Sequence, residues 1–295
     1  MPHNVHSRDD LARIAVIGAG QMGAGIAEVC ARAGLDVVVC EVHQPAAEAG
    51  RARILASLDR AVRAGKLDRP AAERAAWRLR FVTDVGELAD RQLVIEAAAE
   101  DEQVKTELFA SLDKVLADPA AILASNTSSI PIMRLGMATG RAAQVVGLHF
   151  FNPAPVLPLV EVVGSLLTSP DTLDRVQRFA VDVLGKQAIR ARDRSGFVVN
   201  ALLVPYLLSA IRMVESGFAA AADVDRGMEL GTAHPMGPLR LADLIGLDTV
   251  AAIADSLYAE FKEPLHAPPP LLLRMVDAGL LGRKSGRGFY VYEGK

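Results

Sequence analysis

The 295-residue sequence contains two cysteines, Cys30 and Cys40, too few for a disulfide framework. Neither lies in a CxxC pair, and no HExxH segment occurs, so metal-ligand spacing is missing and no metal is expected. The two thiols are expected to be packed side chains. Charge of one sign is lacking as well. Lys plus Arg number 32 against 35 Asp plus Glu, a net −3, which removes the electrostatic case for nucleic acid or an anionic membrane as the main partner. A small local basic site for a phosphorylated ligand stays open. No uninterrupted apolar run approaches the roughly 20 residues of a membrane span. The opening MPHNVHSRDD has no apolar signal core. A soluble, cytoplasmic protein with no membrane and no nucleic-acid partner is the expectation. Aromatics are scarce at 5%, whereas Gly and Pro number 24 and 16, a composition of Ala-rich helices punctuated by turns.

With 51% hydrophobic and 23% charged residues the chain is not a disordered one. At about 150 residues per domain its length suggests two domains. Ile14, Val16 and Ile17 suit a buried strand, and Ile26, Ala27, Val29 and Cys30 line one face of a following helix. DVVVC then supplies a second strand before Glu41. Residues 45–80 read as a helical hairpin, one arm through about 63 and the next from Pro70. Strand character returns at 81–85, 93–100, 121–124 and in the runs VVGLHF and LPLVEVV, with a helix from Gln103 to Leu116. Past about residue 190 the patterns become predominantly helical, with Pro205 inside a long segment.

Gly18-Ala19-Gly20-Gln21-Met22-Gly23 fits GxGxxG between a strand and a helix. The glycines permit the tight turn, close pyrophosphate approach and tight helix packing, and the amides at the helix start favour phosphate. Glu41, 23 positions after Gly18, suits the adenosine ribose hydroxyls and repels an extra 2′-phosphate, so NAD is expected over NADP. Arg53 is explained by solvation on a helix surface. The fold class that follows is α/β, an N-terminal Rossmann-like dinucleotide-binding domain over 1–190 and a mostly α-helical C-terminal domain over 191–295.

Among the polar residues, His149 ends a strand, and an unperturbed histidine side chain changes charge near neutrality, which suits a general base; a hydrogen-bonded turn residue fits equally well locally. Glu161 interrupts the apolar LVEVV, where a buried acid demands a partner. Ser128 in NTSS and Asn200 in SGFVVN read locally as turn or cap residues. Glu100, Lys105 and Lys284 read as ordinary surface charges.

The ordered motifs IAVIGAGQMGAGIA, VIEAAAEDEQVK, ILASNTSSIPI, GLHFFNPAPVLPLVEVV, SGFVVN, GTAHPMGPLRLADLIGLD and GRKSGRGFYVYEG run through both domains. Together they resemble the L-3-hydroxyacyl-CoA dehydrogenase family, including its short-chain 3-hydroxybutyryl-CoA members. The resemblance implies reversible NAD-dependent oxidation of (S)-3-hydroxyacyl-CoA to 3-oxoacyl-CoA. It makes His149 the catalytic base, Glu161 its carboxylate partner, and Ser128 and Asn200 the groups that position substrate oxygens. Glu100, Lys105 and Asn152 correspond to positions at the nicotinamide half of NAD, and Lys284 would approach from the second domain. That second domain is implied to bind substrate and form a homodimer, while Arg51, Arg53, Arg60, Arg63 and Lys66 offer diffuse attraction to CoA phosphates. Two departures stand out: Ser195 and Ala201 replace the proline and arginine of the usual PGFxxNR, and Ser209 replaces a carboxylate, implying an altered buried polar network or domain contact. A related dehydrogenase of a free hydroxy acid or carnitine-like substrate, or a noncatalytic NAD-binding protein, would fit the nucleotide motif alone.

Overall fold

Eight short segments rich in Val, Ile, Leu and Ala form the first part of the molecule. In the computed structural model, which describes residues 11–292, contacts divide the chain into two units, one ending at Asp193 and one beginning at Arg194. The reading of the first ten residues therefore lies outside the described residues. The strands are β1 (Arg13–Ile17), β2 (Asp36–Cys40), β3 (Leu79–Val82), β4 (Leu93–Glu96), β5 (Ile122–Ser125), β6 (Val145–Phe150), β7 (Leu159–Gly164) and β8 (Gln187–Arg192). They make one sheet in the order β3-β2-β1-β4-β5-β6-β7-β8, parallel throughout except between β6 and β7. Continuous apolar runs such as Leu93–Ile95 and Ile122–Ala124 are buried because parallel strands are covered on both faces. Each fully buried Leu or Ile there contributes about 1.5–3 kcal/mol over leaving it exposed.

The helices of this unit are α1 (Gln21–Arg32), α2 (Gln44–Arg63), α3 (Arg69–Trp77), α4 (Glu102–Val115), α5 (Ile132–Met137) and α6 (Pro170–Arg178). The expected hairpin is α2 and α3, and the Asp68 carboxylate caps α3 by accepting the Ala71 N–H at 2.6 Å. Strand order reverses between β1 and its two neighbours, β2 and β4, so the carboxyl ends of β1, β4, β5 and β6 share one edge of the sheet. That edge carries the Gly-rich turn, Glu96, Ser125 and His149.

Residues 187–192 form the edge strand β8, although QAIRAR lacks the apolar run that marks the other strands. Its arginines and glutamine suit an edge exposed to water. The division expected at 190 falls inside this strand, and the observed one lies just beyond it, after Asp193.

The second unit is helical: α7 (Val199–Glu215), α8 (Ala221–Thr232), α9 (Pro238–Ile245), α10 (Leu247–Phe261) and α11 (Pro270–Asp277). Leu207, Leu208, Ile211, Leu239, Val250, Leu257 and Leu272 form its core. Two buried aspartates organise its polar interior. Asp243 accepts the N–H groups of Phe289 and Tyr290 and the Tyr292 hydroxyl, each at 3.0 Å, while Asp225 accepts from Leu239 and Arg240 N–H and the Tyr290 hydroxyl. A Cβ on Gly288 would lie 2.0 Å from Asp243 Oδ1, so this glycine lets the terminal segment reach the carboxylate.

Candidate active site

The Gly-rich turn joins β1 to α1. Gly18 adopts φ +86°, and a Cβ on Gly23 would lie 1.8 Å from the Gly18 carbonyl oxygen, so only glycine lets α1 start this close to the turn. At Gly20 a Cβ would enter open space. Side chains cap α2, α3, α4 and α6, through His43, Asp68, Asp101 and Ser169, whereas α1 begins at Gly20 with no side-chain cap. Its first-turn amides are therefore available to an anion, and the open face of Gly20 fits a pyrophosphate. Met22 is partly buried against the core, so what it offers at the turn is its backbone.

Glu41 stands directly after β2. Its Oε1 accepts the Ala19 N–H at 2.5 Å and its Oε2 the Val42 N–H at 3.1 Å, which orients the carboxylate across the turn. Arg53 departs from the expectation of a simply solvated side chain. Its guanidinium reaches back from α2 and donates to the Ala19 carbonyl at 2.5 Å. With Arg60, Ser57, Gln21, Glu28 and residues 152–155, Arg53 lines a cavity of about 440 Å³. Of the other basic residues on this hairpin, Arg63 pairs with Asp59 at 3.2 Å.

β6 and β7 run antiparallel with His149 directly opposite Glu161. Directly opposed residues in such a pair have Cβ atoms about 4.5–5.5 Å apart, within reach of a hydrogen bond between long side chains. His149 Nδ1 lies 2.7 Å from Glu161 Oε2, and both residues are buried. An ionised carboxylate only accepts, so this contact suits the tautomer that carries its proton on Nδ1 and presents a lone pair on Nε2. That Nε2 is 3.1 Å from the Ser128 hydroxyl, and the Phe151 ring packs edge-on to the imidazole at 4.7 Å. The structure thus brings Ser128, His149 and Glu161 into one line.

Asn152 follows in the β6–β7 connection, and its Oδ1 accepts from Gln21 Nε2 at 3.2 Å, joining two residues of the expected cofactor set. Glu100 accepts the Thr127 hydroxyl, the Ser128 N–H and the Ser129 hydroxyl on one oxygen, and lies 3.2 Å from Lys105 Nζ on the other. Burial pushes the Glu100 carboxyl up, but the Lys105 ammonium and the bonds from Thr127 and Ser128 outweigh it and hold the group below the usual carboxylate range. Lys105 is 1% exposed and pairs with Glu96 at 2.6 Å, so it is a buried cation rather than the ordinary helix charge its local sequence suggests. Glu96, Ser125 and Thr127 complete this cluster without having been singled out by sequence. A glutamate closing the apolar run LVIE was the available signal, the same one that marked Glu161.

Asn200 and Lys284 belong to the second unit. Asn200 is buried in the first turn of α7, and Lys284 pairs with Asp248 at 2.6 Å. Ser195 supplies an N–H that proline lacks, and Glu260 Oε2 takes it at 2.8 Å. Ser209 is exposed and its hydroxyl donates to the Pro205 carbonyl of its own helix at 2.8 Å, so the altered buried network expected there is replaced by a local helix contact.

Residues 13–194 match the family model described as 3-hydroxyacyl-CoA dehydrogenase, NAD binding domain, and residues 196–292 match that family's C-terminal domain. The chain is 62% identical over 284 residues to a 3-hydroxybutyryl-CoA dehydrogenase of Mycobacterium tuberculosis, covering 96% of this chain and 99% of the relative. Among solved structures it resembles M. tuberculosis FadB2, with a TM-score of 0.95 at 62% identity over 97% of this chain and 100% of that one. It also resembles the (S)-3-hydroxybutyryl-CoA dehydrogenase PaaH1 of Ralstonia eutropha, with a TM-score of 0.91 at 42% identity over 96% and 100% of the two chains.

Proposed function

The chain belongs to the 3-hydroxyacyl-CoA dehydrogenase family and oxidises 3-hydroxyacyl-CoA with NAD, and from that premise we propose that its preferred substrate is the four-carbon (S)-3-hydroxybutyryl-CoA. The observation that carries the chain-length choice is 62% identity over nearly the whole length to a 3-hydroxybutyryl-CoA dehydrogenase. NAD+, when bound, supplies the acceptor for the hydride leaving C3.

The chain's own residues handle the proton and the alignment. His149 Nε2 accepts the hydroxyl proton as the C3–H bond breaks and the carbonyl forms. The buried Glu161 carboxylate orients the ring and offsets the imidazolium charge that then develops. Ser128, already 3.1 Å from Nε2, is the hydroxyl that shares the substrate oxygen with His149. Asn200 is proposed as the second-unit amide for that oxygen. In reduction the protonated His149 returns the proton to the alkoxide oxygen.

For the cofactor, the amides of Gly20, Gln21, Met22 and Gly23 are proposed to face the pyrophosphate and Glu41 the adenosine ribose. Asn152, Glu100 and Lys284 are proposed at the nicotinamide end, with the buried Lys105 acting through Glu100. The cavity beside Arg53 and Arg60 supports a place for the CoA phosphates. Homodimerisation through the second unit is supported by the apolar side chains it exposes, Leu202 and Met213 on α7 with Phe218 and Leu230 nearby in sequence. A monomer of 31.3 kDa in sedimentation equilibrium over a broad concentration range would exclude the dimer. Among the described residues no helix is long and apolar enough to cross a membrane.

Steady-state NADH formation with C4, C8 and C16 3-hydroxyacyl-CoA tests the substrate. The highest kcat/KM is expected at C4, and a C16 preference would overturn the chain-length choice. Turnover of free 3-hydroxybutyrate with silent thioesters would overturn the CoA reading itself.

A further inference from the structure

Five residues, at and just beyond the carboxyl ends of β4 and β5 and in the first turn of α4, close into a ring of polar contacts through their side chains and the Thr127 backbone N–H. Glu96 Oε1 accepts from Lys105 Nζ at 2.6 Å, and that ammonium lies 3.2 Å from Glu100 Oε2. Glu100 Oε1 accepts the Thr127 hydroxyl at 2.5 Å, and the Thr127 N–H donates to Ser125 Oγ at 3.2 Å. Ser125 Oγ closes the circuit by donating to Glu96 Oε2 at 2.6 Å. Register makes this possible, because Glu96 and Ser125 are paired residues of neighbouring parallel strands. Ser128 hangs on the ring by its N–H, which Glu100 Oε1 accepts at 2.9 Å, while its hydroxyl faces His149.

Glu96, Ser125 and Thr127 are fully buried and Lys105 nearly so, a placement tolerated only because every charge has a partner. The charge on Glu96 divides the attraction of Lys105 between two carboxylates. With a neutral side chain at 96, that attraction would fall on Glu100 alone and draw its carboxylate from Thr127 and Ser128. The hydroxyl of Ser128 would then spend less time in line with His149 and the reacting oxygen.

We propose that Glu96 is a positioning residue for the oxidation, acting through Lys105 and Glu100 on one side and Ser125 on the other to hold Ser128 against His149. This rests on the reading of Ser128 as the hydroxyl that faces substrate. A cycle of Glu96→Gln, Ser128→Ala and the double variant, read by kcat and KM with 3-hydroxybutyryl-CoA and NAD+, tests it. Glu96→Gln is expected to lower kcat about tenfold with KM little changed, and to cost less than about twofold once Ser128 is already alanine. The same factor in both backgrounds would overturn the proposal in favour of a merely structural role, as would a wild-type kcat for Glu96→Gln. A wild-type kcat for Ser128→Ala would instead sink the reading of Ser128. A slow Glu96→Gln beside it would show Glu96 acting elsewhere and overturn the proposal as well. If Glu96→Gln does not fold, Ser125→Ala opens the ring at a neutral link, and the same non-additivity with Ser128→Ala is expected; independent factors would count against the ring.

Discussion

Both units bury carboxylates, but they surround them differently. In the first unit Glu96 and Glu100 share a lysine and Glu161 faces a histidine, all close to the groups proposed to handle protons or substrate. In the second unit Asp243 is satisfied by backbone N–H groups and a tyrosine hydroxyl, and Asp225 by similar donors with Arg240 farther off at 3.9 Å. A carboxylate held by neutral fixed donors fastens one segment to another. One held by a titratable or mobile partner can also tune chemistry.

This contrast predicts that damage to the first set is read in turnover and damage to the second in stability. The largest effect is expected from His149→Gln, which can still hydrogen-bond Glu161 but cannot serve as base; kcat for 3-hydroxybutyryl-CoA should fall about 10³-fold, or about 4 kcal/mol of barrier. A loss smaller than tenfold would remove His149 from the proton transfer. Asp243→Ala should instead destabilise by about 2–4 kcal/mol, because it strands several buried donors at once. Urea unfolding reports that loss, and kcat of the enzyme that remains folded should change only a few-fold. A collapse of kcat matching that of His149→Gln, with stability unchanged, would erase the distinction between the units.

A smaller effect concerns the cofactor. Glu41→Ser removes the carboxylate proposed to oppose a 2′-phosphate while leaving Arg53 at the Ala19 carbonyl. The NADP+ to NAD+ ratio of kcat/KM should rise about tenfold. An unchanged ratio would mean that Glu41 does not discriminate.

The smallest effect separates the units by pH. Burial, the hydrogen bond to Asp243 and the charge of Asp243 push the Tyr292 phenol up to about 12. The stability it contributes is complete below the unfolded value of about 10 and is lost as pH rises from there toward about 12. Glu100 behaves in the opposite sense. Its lowered pKa gives a contribution present at neutral pH that disappears as pH falls below the ordinary glutamate value. Tyr292→Phe should therefore flatten only the alkaline limb of a stability–pH curve and Glu100→Gln only the acid limb. Exchanged effects would contradict both assignments.

The interior strands of the first unit were legible because fully covered parallel strands must be continuously apolar; the edge strand β8 was not, and the other edge strand, expected at 81–85, lies at Leu79–Val82, because an edge strand need not be apolar throughout. The Gly-rich turn was legible for a similar local reason, since its geometry depends on glycines a few positions apart. His149, Glu161 and Ser128 could be named from the family resemblance, but their contact could not. Lys105 shows the limit most plainly: its neighbours in the helix suggest a surface charge, and the fold buries it between two carboxylates.

Local order therefore determined the strand–turn–helix start, the acid after β2, the helical second unit and the set of chemically capable residues. Tertiary structure alone decided which of these meet. The register of β6 on β7 places Glu161 behind His149, and that of β4 beside β5 places Glu96 at Ser125. Such pairings depend on which strands become neighbours and on a shift of one residue between them, and neither quantity is encoded in the spacing along a single strand.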